Sequence, residues 1–157
     1  MSYKNENMKM IELHENGLDI QFRIRENGVV ELADFSSQEV KKAVMEPKED
    51  ICYPAVEIHR SGTGSLNMHA YKNNINQSSV DFVYENHELK AQAGGKELEI
   101  VMISPEKLKA VYHMRLFDGV PAVQTWTEII NEGSEDQGLT YVSSFMYQGI
   151  SRGGDKP

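Results

Sequence analysis

Hydrophobic and polar residues alternate along most of this chain. Leu18, Ile20, Phe22 and Ile24 fall on one side of an extended segment, and Asp19, Gln21, Arg23 and Arg25 on the other. Strand side chains repeat every two residues, so the segment predicts a strand with one buried face. Glu26-Asn27-Gly28 follows as a turn, because Asn-Gly tolerates positive φ. Val29 to Asp34 predicts the return strand. From Ser36 to Pro47 the pattern changes: Val40 and Val44 stand four apart among Glu39, Lys41 and Lys42, which predicts a short helix or turn stopped by Pro47.

Tyr53 to Arg60 predicts a strand with Val56 and Ile58 inward. Ser61 to Ser78 is rich in Gly, Ser and Asn and predicts a long loop. Alternation returns at Ser79 to Tyr84, with a tight turn at Glu85-Asn86 before His87 to Ala91. Gly94-Gly95 predicts a hairpin turn into Lys96 to Ile103, where Leu98, Ile100 and Met102 share a face. Ser104-Pro105-Glu106 breaks that strand. Lys107 to Phe117 alternates most cleanly, with Leu108, Ala110, Tyr112, Met114 and Leu116 facing one way. Asp118-Gly119 turns into Pro121 to Asn131, and Glu132-Gly133-Ser134 precedes Leu139 to Tyr147. Successive hairpins with no long helix predict an all-β, antiparallel β-sandwich in one domain.

The composition fits a globular chain. Its 157 residues are 39% hydrophobic and 25% charged, enough to bury a core without staples. Asp and Glu number 24 against 16 Lys and Arg, a net charge of −8, which argues against nucleic acid or an anionic membrane as partner. The single Cys52 excludes an internal disulfide framework and a cysteine-rich zinc site, and reads as a small buried hydrophobe. The start, Met1 to Asn7, is polar, and no apolar run approaches a membrane span, so the expected compartment is the cytoplasm. Asn76-Gln77-Ser78, a glycosylation pattern, carries no meaning there. The end, Ser151 to Pro157, comes soon after a strong strand and reads as a cut through a longer protein.

Three blocks carry a resemblance. Tyr112-His113-Met114-Arg115-Leu116-Phe117-Asp118 leads into Val123-Gln124-Thr125-Trp126-Thr127-Glu128-Ile129-Ile130-Asn131-Glu132-Gly133, and Leu139 to Phe145 follows. With the earlier Tyr53-Pro54-Ala55-Val56-Glu57-Ile58, they resemble the N-terminal β-domain of bacterial α-galactosidases of glycoside hydrolase family 36, over about Ile20 to Ile150. The resemblance implies the first part of a β-supersandwich, of the galactose-mutarotase-like kind. It also implies a catalytic (β/α)₈ barrel elsewhere, whose two aspartates are nucleophile and acid/base. Such a barrel takes about 250 residues and has no room in this chain.

In many family members the loop after the Tyr53 to Ile58 block carries an acidic pair and reaches a neighbouring subunit's active site. Here the loop reads Gly62-Thr63-Gly64-Ser65-Leu66-Asn67-Met68-His69, with Lys72 beyond, and Leu66 and Asn67 stand where the acidic pair is expected. The resemblance makes Asn67, His69 and Lys72 the substrate-contact candidates, with α-galactoside as ligand and a homo-oligomer as the assembly.

Other constellations read more plainly. Glu97 and Glu99 share a strand face, about 6.6 Å apart at ~3.3 Å per residue, close to the spacing of a retaining carboxylate pair. A solvated face opposite Leu98 and Ile100 explains them. Glu57 and His59 also share a face; an acid and an imidazole can open a sugar ring, as in aldose mutarotases, but alternation with Val56 and Ile58 already makes both outward positions. His14, His59, His69, His87 and His113 show no metal-ligand spacing, so neither a metal nor another cofactor is expected. Ser143-Ser144 lacks a nucleophile elbow and Gly62-Thr63-Gly64 is not a phosphate loop. Trp126, the single tryptophan, sits among Val123, Ile129 and Ile130 and reads as core or interface.

The expected function is therefore a non-catalytic domain of an α-galactosidase-like glycosidase, supporting the barrel and the oligomer interface. The alternatives are a free-standing carbohydrate-binding sandwich and a mutarotase-like epimerase using Glu57 and His59.

Overall fold

The computed structural model describes residues 9–37, 53–63 and 77–147. Among them the strands are β1 (Lys9–Glu15), β2 (Leu18–Ile24), β3 (Val30–Ser37), β4 (Ile58–Arg60), β5 (Val83–Gln92), β6 (Gly95–Ile103), β7 (Leu108–Phe117), β8 (Val120–Asn131) and β9 (Leu139–Val142). One helical turn, α1 (Gln77–Val80), precedes β5. All pairings are antiparallel: β1-β2-β3, β4-β9 and β5-β6-β7-β8.

The expected antiparallel sandwich is what forms. Alternation on β2 puts Ile20 and Phe22 fully inside, and alternation on β6 and β7 does the same for Leu98, Ile100, Tyr112 and Met114. These residues belong to one core spanning both larger sheets. Phe22 meets Tyr112 across the layers edge to face, with centroids 5.7 Å apart, a geometry that adds about 0.5–1.5 kcal/mol to the area buried. Burial pushes the Tyr112 hydroxyl far above the ordinary tyrosine range, so it stays neutral in the core. At one end Asn16 clamps the layers: its Nδ2 donates to Phe117 O (2.9 Å) and its Oδ1 accepts from Gly119 N–H (3.0 Å).

Several elements differ from the pattern-based expectation. β1 precedes the first expected strand; its turn, Asn16-Gly17, has φ of 53° and 82°, as a two-residue hairpin needs. Glu85-Asn86 is not a turn. The chain runs on through a bulge between Tyr84 and Asn86, which absorbs the extra residue and keeps β5 paired with β6. The expected strand at Ser79 to Tyr84 begins only at Val83, and Ser78 and Ser79 lie in α1 instead. Their buried hydroxyls take the place of a neighbouring strand along β4. Ser79 Oγ accepts from Ile58 N–H (2.9 Å), Ser78 Oγ accepts from Arg60 N–H (3.2 Å), and both donate to Ile58 O. The strand expected over Tyr53 to Arg60 is confined to Ile58–Arg60, because residues before it bond elsewhere: Tyr53 N–H to Glu31 Oε1 and Ala55 N–H to Val30 O. Val56 and Ile58 do point inward. The Gly94-Gly95 hairpin forms as expected, and at Gly95 a Cβ would lie 1.9 Å from Leu116 O, so β6 and β7 approach this closely only with glycine there. The helix expected before Pro47, and Cys52, lie outside the described residues.

Arg60 ends β4 as a buried cation between two carboxylates. Its Nη2 donates to Asp81 Oδ2 (3.1 Å) and its Nη1 to Glu106 Oε2 (2.6 Å). Burial works to raise the Glu106 carboxyl. Hydrogen bonds from Arg60, from its own backbone N–H and from Ser104, with the Arg60 charge, outweigh burial and hold it below its ordinary 4.5. A depressed folded value contributes stability above the ordinary value, and the contribution is lost as pH falls through the folded one. Glu106→Gln should therefore lower the urea midpoint at pH 7 and flatten its fall as pH drops below the ordinary carboxyl value of 4.5. Parallel pH curves for wild type and variant would show that the pair contributes nothing.

Candidate functional site

The outward face of the four-stranded sheet carries the densest polar constellation among the described residues. Register assembles it. His113 on β7 stands directly opposite Glu99 on β6 and Trp126 on β8. Glu97 and Glu128 occupy the diagonal positions beside those partners, within reach of a long side chain. The imidazole Nδ1 lies 2.9 Å from Glu97 Oε1 and 3.9 Å from Glu99 Oε1. On its other side Nε2 lies 3.7 Å from Glu128 Oε1. The Trp126 indole stacks flat on the imidazole, with centroids 4.6 Å apart and planes 4° from parallel.

This face is not simply solvated. His113 is 6% exposed and Glu97 9% exposed, although both sit on the side of the sheet away from the core. Buried polar groups need partners. A carboxylate only accepts, so Nδ1–H donates to Glu97. Lys90, from β5, binds Glu99 Oε2 at 2.5 Å, and that hydrogen bond holds the Lys90 ammonium above the usual lysine range. Trp126 is half-buried through its stack on His113 rather than in the core among Val123 and Ile129.

The second constellation lies on the β4–β9 pair. Glu57 and His59 share a face as expected, and His59 Nε2 lies 2.8 Å from Glu57 Oε1. Glu57 is nearly buried rather than freely outward. Its backbone is held by Ser143: Glu57 N–H donates to Ser143 Oγ and Ser143 N–H to Glu57 O, both at 2.8 Å. Tyr141 pairs opposite His59, with ring centroids 5.1 Å apart, and stays 49% exposed. Asn67, His69 and Lys72 lie outside the described residues, in the segment that follows β4.

No spacing rule finds the His113 constellation, because its members come from three strands. The one usable signal is that Glu97, Glu99, His113, Trp126 and Glu128 all occupy the non-core parity of consecutive hairpin strands. No protein-family model and no curated protein matches the chain.

Glu97 and Glu128 should behave differently on truncation. Glu97→Ala leaves a buried Nδ1–H without its acceptor and should cost about 1–3 kcal/mol. Glu128→Ala removes a 56% exposed carboxylate beyond hydrogen-bond distance and should cost under about 0.5 kcal/mol. Denaturant unfolding followed by Trp126 fluorescence measures both; equal losses would contradict the assigned partners.

Proposed function

We propose that this chain is the non-catalytic N-terminal β-sandwich of an α-galactosidase-like glycoside hydrolase, part of a mutarotase-like supersandwich, working in the cytoplasm. Its role is to support the catalytic barrel and to build a homo-oligomer interface. The observation that carries this is the spatial order of the resembling blocks. Tyr112 to Asp118 forms most of β7 and its turn, Val123 to Gly133 pairs beside it as β8, and the Leu139 to Phe145 block, as β9, pairs with the end of the Tyr53 to Ile58 block. The four blocks thus pair two by two, in two separate sheets. The purified chain should not turn over p-nitrophenyl α-galactoside, and an antibody against it should detect a native protein several times larger than 157 residues. Clear turnover, or a native band at the size of this chain, would sink the proposal.

A second function, direct carbohydrate binding, is favoured by Tyr141. An exposed aromatic ring beside an imidazole–carboxylate pair offers a sugar both a stacking face and hydroxyl partners. On this basis calorimetry with raffinose or galactose gives saturable heat, and Tyr141→Ala weakens binding roughly three- to tenfold. Absence of heat at millimolar sugar would remove this function. The 2.8 Å Glu57–His59 pair also keeps the epimerase alternative open to test, and unchanged anomerisation rates in His59→Ala would end it.

A further inference from the structure

We propose that Glu97, Glu99 and His113 form a binding site for one divalent ion of the zinc class, with Glu128 as its positioning residue. The proposal is independent of any glycosidase role.

Three ligand atoms converge on one point of the sheet face. His113 Nδ1 lies 2.9 Å from Glu97 Oε1 and 3.9 Å from Glu99 Oε1, and one ligand atom from each of the three residues lies within 4.8 Å of the others. Ligands held 2.0–2.1 Å from a tetrahedral ion stand roughly 3.3 Å apart. The two separations from His113 bracket that value, and the Glu97–Glu99 separation is at most 4.8 Å, so an ion closes the site by drawing the two carboxylates together. Lys90 engages Glu99 through Oε2 and leaves Oε1 turned to the imidazole.

The second, independent observation is the state of the imidazole. His113 is 94% buried by its 6% exposure, and its Nε2 has no hydrogen-bond partner among the described residues. Nε2 lies 3.7 Å from the Glu128 carboxylate, beyond hydrogen-bond distance. An ion on Nδ1 takes that nitrogen's lone pair and leaves the ring proton on Nε2, where Nε2–H points at Glu128 as donor. A metal-bound imidazole giving its other N–H to a carboxylate is the arrangement that fixes ring orientation and raises ligand basicity. Both ring nitrogens then have partners.

Charge and donor type set the class of ion. Glu97, Glu99 and Glu128 lie around the imidazole, and Glu88 stands beyond Glu99 on the same face, against the cations Lys90 and Arg115, so a dication meets more negative than positive charge there. An imidazole nitrogen with two carboxylates suits zinc and its neighbours, whereas calcium and magnesium take oxygen ligands throughout. Three protein ligands leave a fourth position for water.

Equilibrium dialysis of the full chain against zinc should find one bound ion per chain, and titration should change Trp126 emission with the same midpoint, since the indole stacks on the liganding ring. Calcium should produce neither effect. Glu99→Gln, at the partly exposed rim of the site, should weaken zinc at least tenfold with the fold intact by circular dichroism. Glu128→Ala should weaken it less, because its carboxylate touches the ring and not the ion. His14→Ala, His69→Ala and His87→Ala should leave the affinity unchanged. No binding at about 100 μM zinc, unchanged affinity in Glu99→Gln, or loss of binding in His69→Ala would overturn the proposal.

Discussion

Strand β7 is buried on both faces, and the rest of the structure is arranged around that constraint. Its even positions, from Leu108 to Leu116, fill the space between the two larger sheets. Its odd positions would meet water in an ordinary sandwich. Here His113 is covered by Trp126 from β8 and flanked by carboxylates from β6 and β8. Burying an imidazole and a carboxylate costs solvation, and the 2.9 Å hydrogen bond between them is what offsets it. The outer layer of the sheet is thus a polar arrangement held by partners, where the inner layer is held by excluded water.

The same logic recurs on a smaller scale at the β4–β9 pair. β4 is only three residues long and pairs with one strand. Its other edge is completed by the hydroxyls of Ser78 and Ser79, which supply the donors and acceptors that a neighbouring strand would. That closure holds the backbone from which His59 projects toward Glu57 and Tyr141. The His59–Glu57 and His113–Glu97 pairs differ in access. His59 lies beside an exposed tyrosine, while His113 is buried beneath a stacked tryptophan.

Much of the fold was legible from alternation. β2, β6 and β7 follow it because their core faces take apolar residues and their opposite faces take mostly polar ones, the condition under which a period of two appears in a sequence. β1 was not among the expected strands, although Ile11 and Leu13 alternate with polar residues and run into Asn16-Gly17, a two-residue hairpin signal. The expected turn at Glu85-Asn86 was not distinguishable from a bulge, because both place polar residues at an interruption of the pattern and only the partner strand decides between them. By position Ser78 read as the end of a loop and Ser79 as the start of a strand, and their role depends on β4, about twenty residues away.

By itself the sequence determined the class of the molecule: all-β, antiparallel, one core, with Leu98, Ile100, Tyr112 and Met114 inside it. It also placed Glu57 beside His59, since residues two apart on an extended chain share a side. Only the tertiary structure decided that Glu97, Glu99, His113, Trp126 and Glu128 meet. Alternation tells which face a residue occupies, but register tells which residue on the next strand stands opposite it. Register is set by turn geometry and by the fit of the whole core, and a slip of one residue would send His113 to the other face.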